Sequence, residues 1–316
     1  TPPGSRRRRL PRRERASRAE DVAQEHDGVA HRRDLRAVGV SRADVRSEVA
    51  AGRWLARGRH TVVVGNVEPE GRALLWRSLW ETSGGAALDG ASALVASGLK
   101  TFTPTVVEVS VPKNNRSARV DGVRRHQRRT MPPIRSSGIP RVLVPEATVN
   151  AAAWAVSDRQ ALLVLCLVLQ QRLTTPARLL AAWRARTTRI APARRALVEQ
   201  SMVDLCDGAH SLGELDFAGL CREHGLPEPT RQAVRTLPDG RIYLDVAWED
   251  IGLVVEIDGG HHALALDTVD DALRQNEVVL NDDHVLRIPL LGLRLTPALF
   301  MAQVVRAHQR WSRPAA

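Results

Sequence analysis

The sequence has 316 residues, of which 43% are hydrophobic and 26% are charged. This composition is typical of globular domains and excludes a collagen-like or a wholly disordered chain. The longest apolar run, Ala161–Leu169, has nine residues, whereas a membrane-spanning helix needs about 20, so no membrane partner is expected. The three cysteines lack the spacing of metal ligands, which predicts free thiols and a cytoplasmic location.

The charge is unevenly distributed along the chain. The formal net charge is +11, but residues 1–200 carry 36 basic and 17 acidic side chains, and residues 201–316 carry 10 basic and 18 acidic ones. A basic first part favours attraction to phosphates, and an acidic second part favours carboxylate chemistry. The alternative is that both parts simply present solvated surfaces.

The chain begins with an arginine-rich segment, residues 1–22, that has no apolar periodicity. A segment of this composition buries too little apolar surface to fold by itself. We therefore expect a disordered basic tail.

Residues 23–65 are typical of a winged helix-turn-helix domain. A short helix is predicted over residues 30–38, and Ser41 caps a second helix over residues 42–51 that ends at Gly52. A basic β-hairpin follows. In this fold the second helix enters the DNA major groove and neighbouring elements contact the backbone; a small helical unit without a ligand is the alternative. The arginines predicted to contact DNA are Arg42, Arg46, Arg53, Arg57 and Arg59.

Residues 66–204 are predicted to form an α-rich middle domain with one β-hairpin. The hairpin strands are residues 106–111 and residues 122–129, and the second strand is rich in arginine. These arginines either contact nucleic acid or protect an exposed sheet edge by charge. The apolar segment 147–171 predicts a long buried helix.

Residues 205–316 are predicted to form an α/β domain with a second hairpin. A four-residue loop, Glu249–Gly252, places Trp248 opposite Leu253 and Asp245 opposite Glu256. Directly opposed side chains of an antiparallel pair lie on the same face, about 4.5–5.5 Å apart at Cβ. Asp258, two residues beyond Glu256, shares that face. We therefore expect three carboxylates at one end of the hairpin.

Carboxylates that lie so close repel one another, and one of them is protonated unless a cation lies between them. A hard divalent ion such as Mg²⁺ or Mn²⁺ resolves the repulsion by binding oxygen ligands. Such an ion polarises a phosphodiester and activates water. The alternative is that the polar face of the hairpin meets solvent.

These residues resemble a known family. Asp245, followed eleven residues later by Glu256-Ile257-Asp258-Gly259 and then by His261 and His262, resembles the PD-(D/E)xK nuclease fold. Within that fold, the sequence resembles a domain of unknown function related to very short patch repair endonucleases. The segments Ser211–Glu214 and Val285–Ile288, together with Arg274, extend the resemblance to residues 208–310.

The resemblance implies a restriction-endonuclease-like domain and assigns roles within it. Most such nucleases carry lysine where this chain has Asp258, so the positive charge is expected from an arginine, or a histidine serves as the general base, or the domain is inactive. The implied metal ligands are Asp245, Glu256 and Glu214. The implied catalytic residues are Asp245, Glu256, Asp258, His261, His262, Arg274 and Arg287.

The front of the chain resembles a second family. Gly39-Val40-Ser41, Gly52-Arg53-Trp54 and the basic run Arg57–Val64 resemble the winged-helix N-terminal domain of AbiEi-type antitoxins. Members of that family are the DNA-binding partners in type IV toxin–antitoxin systems. The resemblance implies binding to DNA and to a cognate toxin.

Together, these features predict an α+β multidomain protein with a winged helix-turn-helix, an α-rich middle region and a restriction-endonuclease-like domain. Two functions remain open. The first is a metal-dependent DNA endonuclease in DNA repair or in defence against phages and plasmids, for which cleavage of both strands favours a homodimer. The second is a non-catalytic DNA-binding regulator or antitoxin that uses the nuclease fold as a scaffold.

Overall fold

The computed structural model describes residues 11–82, 84–186, 188–206, 215–236, 242–258, 269, 272–273, 275–276 and 285–312. In this part of the chain, 12 helices and three sheets form a mixed α+β fold. None of the described helices is both long enough and apolar enough to cross a membrane. The chain divides into two compact units, Thr1–Leu143 and Val144–Ala316.

The first unit begins with a small α/β region around a three-stranded antiparallel sheet of order β1-β3-β2. A hydrophobic core that includes Ala19, Leu35, Val45, Trp54 and Val62 joins the helices to this sheet. The elements are α1 (Arg12–Gln24), β1 (Val29–His31), α2 (Arg32–Ala37), α3 (Arg42–Ala50), β2 (Leu55–Ala56) and β3 (Thr61–Val63).

The start of α3 follows from local sequence chemistry, as predicted. Ser41 Oγ accepts the backbone N–H of Asp44 at 3.2 Å, and Asp44 Oδ2 accepts the backbone N–H of Ser41 at 3.0 Å. This reciprocal capping box satisfies two amides that the first helical turn leaves without intrahelical acceptors. Gly39 precedes it with φ of +87°, a conformation that glycine adopts at little cost.

Helix α1 corrects the prediction of a disordered tail over residues 1–22. Its inward face is formed by Arg15, Ala19 and Ala23, which are all buried. Arg15 contacts the carboxylates of α3, and the two alanines belong to the core. A helix therefore forms because the buried ion pairs of Arg15 add stabilisation that the few apolar side chains of this segment do not provide. Residues 1–10 of the predicted tail lie outside the described residues.

The first unit continues with a second sheet, which has five strands in the order β6-β5-β4-β8-β7. Its valines 107, 109 and 111 on β5 are buried. The elements are α4 (Gly71–Thr82), β4 (Ala87–Leu88), α5 (Gly90–Ala96), β5 (Val107–Pro112), β6 (Val123–Arg128), β7 (Ile134–Arg135) and β8 (Arg141–Val142).

Strands β5 and β6 pair in parallel, so the predicted hairpin of the middle region is wrong. The ten residues between them span up to about 35 Å when extended, which is enough to return along a strand of about 20 Å. The parallel register places Arg124 and His126 beside buried Glu108, at 3.7 and 3.6 Å from its carboxylate. The positive charge of Arg124 favours burial of a carboxylate that would otherwise be costly.

The second unit combines a helical layer with a four-stranded sheet of order β12-β11-β10-β9, in which only the β11–β12 pair is parallel. The helices are α6 (Val144–Trp154), α7 (Asp158–Gln170), α8 (Pro176–Ala185), α9 (Pro192–Cys206), α10 (Phe217–Glu223), α11 (Leu290–Leu295) and α12 (Pro297–Trp311). The strands are β9 (Arg231–Thr236), β10 (Ile242–Trp248), β11 (Leu253–Asp258) and β12 (Val285–Pro289).

Helices α6 and α7 replace the single helix predicted over residues 147–171. Helix α6 ends at Trp154, and Ser157 caps the start of α7. Its Oγ accepts the backbone N–H of Gln160 at 3.1 Å. Side chains of these helices share one core with the sheet, including Leu162, Trp248 and Phe300. The predicted boundary between residues 204 and 205 therefore does not coincide with the division of the structure, since helices on both sides of it bury the same apolar surface.

Candidate functional site

One face of the four-stranded sheet is apolar and the other carries charge. Leu244, Val246 and Trp248 of β10 pack into the core. Asp245 lies on the charged face, where Glu256 of β11 is its direct cross-strand partner. This register, with Trp248 opposite Leu253, confirms the predicted four-residue hairpin loop.

Arginines from the two flanking strands neutralise the carboxylates on this charged face. Arg231 of β9 donates from Nη2 to Asp245 Oδ2 at 3.1 Å, and Arg287 of β12 donates from Nε to Glu256 Oε2 at 3.0 Å. Asp245 is only 7% exposed, so its guanidinium partner offsets the cost of burying a charge. Asp258 shares the face, two residues beyond Glu256 on β11.

This arrangement resolves the predicted carboxylate repulsion with arginine. Asp245 and Glu256 are hard oxygen donors of the kind that Mg²⁺ prefers, but both are engaged by guanidinium groups. Among the described residues, no cluster of three or more histidine, cysteine or acidic side chains is arranged to hold a metal ion.

Four of the predicted site residues lie outside the described residues. They are the metal ligand Glu214, the base candidates His261 and His262, and Arg274. Of the predicted catalytic arginines, Arg287 is described, and its side chain is 72% exposed beside Glu256.

Helix α3 of the first unit presents a basic face to solvent. Arg42 and Arg46 are exposed and lie four residues apart, which places them on the same side of the helix. Both acidic residues of α3, Asp44 and Glu48, are instead buried beneath Arg15. The other exposed side chains of α3 are small, and they are Ala43, Ser47 and Ala50.

The remaining predicted DNA contacts differ in their surroundings. Arg53 donates from Nε to Glu48 Oε2 at 2.5 Å, and this hydrogen bond holds the pKa of Glu48 below its usual value. Arg57 donates from Nε to Glu68 Oε2 at 2.6 Å. Arg59 is exposed in the loop between β2 and β3. Two of the three are therefore partly neutralised by carboxylates.

The β2–β3 loop is held by a carboxylate that sequence reasoning missed. Glu81 of α4 accepts the backbone N–H groups of Arg59, His60 and Thr61 at 2.7, 2.8 and 2.8 Å. Gly58 lies so close that a Cβ at this position would clash with the Glu81 carboxylate. The positive φ of Gly58, +147°, suits a residue without a side chain, but nothing in the sequence points to a partner more than 20 residues away.

A group of aromatic side chains joins this region to α4. His31 stacks on His60 with ring centroids 5.5 Å apart, and Trp80 contacts both His31 and His26 edge-on. His31 Nδ1 accepts the backbone N–H of Arg33 at 3.0 Å and thereby caps α2. Burial lowers the pKa of His31, so the neutral ring that makes this cap is favoured.

Comparison with known proteins gives only a weak structural similarity to describe. No protein-family model matches the sequence, and no curated protein matches it. A solved protein of Mycobacterium tuberculosis, RV2827C, aligns over 73% of this chain and 91% of its own, with 19% identity and a TM-score of 0.37. A similarity of this size assigns neither a family nor a function.

Proposed function

We propose that residues 11–64 form a winged helix-turn-helix that binds duplex DNA, and that the protein is a DNA-binding regulator similar to antitoxins of the AbiEi type. The observation that carries this proposal is the basic face of α3, on which Arg42 and Arg46 are exposed while Asp44 and Glu48 are buried. The element order supports it, since α2 and α3 form the helix pair of a helix-turn-helix and the two strands β2 and β3 follow them directly.

The chemistry of this face suits the major groove. An arginine guanidinium makes two parallel hydrogen bonds to O6 and N7 of guanine, and each such pair contributes about 1–3 kcal/mol of discrimination. The small side chains of Ala43, Ser47 and Ala50 allow the helix to approach the base edges closely. Burial of Asp44 and Glu48 removes negative charge from the surface that faces the phosphates.

The β2–β3 loop is proposed to contact the phosphate backbone through Arg59. Glu81 holds three successive amides of this loop, so the wing is fixed before DNA binds, which lowers the entropy cost of binding. Arg53 and Arg57 are not assigned to DNA contact, because Arg53 is paired with Glu48 of α3 and Arg57 with Glu68.

The test of this proposal is the affinity for duplex DNA of the variant Arg42→Gln/Arg46→Gln. The matched control is Arg178→Gln/Arg184→Gln, which removes the same charge from two exposed positions of α8 in the second unit. We expect the α3 variant to lose at least tenfold in affinity for a duplex selected by the wild-type protein, and the control to bind as the wild type does. Equal affinities for all three proteins would contradict the proposal.

A cytoplasmic location is part of the same proposal. Cys166 and Cys221 are buried free thiols, and burial raises the pKa of each to about 12. Free thiols suit a reducing cytoplasm. A cognate toxin and a homodimer are the protein partners proposed for a regulator of this type.

A metal-dependent DNA endonuclease is the second candidate function, and the register of Asp245 with Glu256 favours it. In this candidate, these two carboxylates together with Glu214 would hold Mg²⁺ or Mn²⁺, which would supply an activated water for attack on a phosphodiester. The further catalytic candidates are Asp258, His261, His262, Arg274 and Arg287.

The endonuclease candidate is tested by incubating supercoiled plasmid with the wild type and with Asp245→Asn, in the presence of Mg²⁺, Mn²⁺ or a chelator. Nicking that needs the metal and is lost in the variant would support an enzyme. A second readout is thermal unfolding, because an ion that binds only the folded state raises the midpoint. No nicking together with no metal-induced stabilisation would leave the regulator as the function.

A further inference from the structure

Besides the basic face of α3, the first unit has a second arginine-rich segment, which follows α3 by more than 60 residues. Residues 113–135 contain eight basic side chains and one acidic side chain, Asp121. The segment includes β6, which is an edge strand of the five-stranded sheet. We call this segment the arginine edge, and its exposed basic residues include Lys113, Arg116, Arg119, Arg124 and Arg129.

Two arginines of the arginine edge make hydrogen bonds within the first unit. Arg125 donates from Nη1 to the backbone oxygen of Ser117 at 2.5 Å, and Arg128 donates from Nε to Ser110 Oγ at 3.1 Å. These two half-buried side chains hold the strand and the preceding loop in place. The exposed arginines of the segment are therefore carried on an ordered surface.

A groove lies at the start of β6. It has a volume of about 500 Å³, and its lining includes three arginines, one carboxylate and apolar side chains, which are Arg119, Arg124, Arg125, Asp121, Val120 and Val123. Positive side chains around a partly apolar floor complement a phosphodiester and its sugar. Edge protection alone requires only a few charged residues on the strand, and it leaves unexplained the arginines that precede the strand.

We propose that the arginine edge binds the phosphate backbone of duplex DNA as a second contact of the first unit, a role that rests on the DNA binding proposed for α3. Arginine side chains that neutralise phosphates release counterions and so provide affinity that does not depend on sequence. Residues 113–135 contain no phenylalanine, tyrosine or tryptophan, the residues on which single-stranded nucleic acids stack. The charge pattern without stacking residues favours the duplex backbone over a single strand.

The variant that tests the arginine edge is Arg116→Gln/Arg119→Gln/Arg129→Gln, which removes three exposed charges and leaves the anchored arginines in place. Arg124 is retained because it lies beside buried Glu108. One control replaces the same three arginines by lysine, which keeps the charge. The other control is Arg178→Gln/Arg184→Gln/Arg189→Gln, which removes three exposed charges from the second unit.

Binding is measured over a range of salt concentrations with a selected duplex, a random duplex of the same length and single-stranded RNA. We expect the glutamine variant to bind both duplexes about ten- to a hundredfold more weakly at physiological salt, with a salt slope flatter by roughly 2 to 3. The lysine variant and the second-unit control should keep the wild-type slope. The preference for the selected duplex over the random one should not change.

The outcomes separate this inference from the function proposed above. If Arg42→Gln/Arg46→Gln weakens duplex binding and the arginine-edge variant does not, the arginine edge has no role in DNA binding and the α3 assignment holds. If the arginine-edge variant weakens binding of RNA alone, the edge is an RNA site and the inference is wrong. If the wild type binds neither duplex, both proposals fail.

Discussion

The guanidinium of Arg15 on α1 is ion-paired with the carboxylate of Asp44 on α3, and the two side chains are only 8% and 3% exposed. Arg15 also donates from Nη2 to Glu48 Oε1 at 3.5 Å. One buried arginine therefore attaches α1 to α3 and compensates two acidic residues at once. Because these acids face inward, the outer face of α3 carries only arginines and small or polar side chains.

Arg15→Met should destabilise the protein strongly. The change takes away the guanidinium that is paired with the buried Asp44 carboxylate, and removing one partner of a buried ion pair typically costs about 3–5 kcal/mol. Chemical denaturation monitored by circular dichroism measures this change in the free energy of unfolding. Arg13→Met is the control, since Arg13 is exposed on the same helix and should change stability by about 0.5 kcal/mol or less. Similar losses in both variants would show that the buried pair is not what holds α1.

Glu81→Ala should loosen the β2–β3 loop. Its carboxylate is the acceptor for the amides of Arg59, His60 and Thr61, and loss of such acceptors costs about 1–3 kcal/mol. Hydrogen exchange at these three amides should accelerate, while amides of α3 keep their protection. Glu70→Ala, at an exposed position just before α4, should leave exchange in the loop unchanged. Unchanged protection in Glu81→Ala would contradict the role given to this carboxylate.

His31 should make the stability of the protein depend on pH. Burial lowers its pKa in the folded state, so as the pH falls below about 6.5 the unfolded chain takes up the proton first. The stabilisation from the neutral ring is fully present above that pH and is lost as the pH falls further. The ionisable groups near the ring are Asp34, Arg33, His60 and Glu81.

The variant that isolates this effect is His31→Asn, because asparagine also caps helices but does not titrate. Urea denaturation above and below the pKa of histidine should show a smaller loss of stability on acidification in His31→Asn than in the wild type. An identical pH dependence in the two proteins would assign the titration to other groups.

The parts of the structure that could be predicted from sequence are those set by local chemistry. Ser41 and Gly52 delimit α3 because a cap and a helix-ending glycine act within one turn. The register of Asp245 with Glu256 followed from the length of one loop and the alternation of buried residues on both sides of it. In both cases the information lies within about 15 residues.

The parts that could not be predicted depend on partners distant in sequence. Helix α1 has alanine and arginine on its inward face, and the stabilising role of Arg15 is visible only once Asp44 lies beside it. Arg231 neutralises Asp245 from β9, a strand whose place beside β10 is set by the sheet order. The parallel pairing of β5 with β6 is likewise a property of the whole sheet.

DNA binding by the first unit is measured by the affinity for a selected duplex as a function of salt. We predict a steep linear fall of log K with log salt, about 0.9 for each phosphate contacted, together with at least a tenfold loss of affinity in Arg42→Gln/Arg46→Gln relative to Arg178→Gln/Arg184→Gln. An affinity that does not change with salt, or that is the same in these two variants, would contradict DNA binding by the first unit.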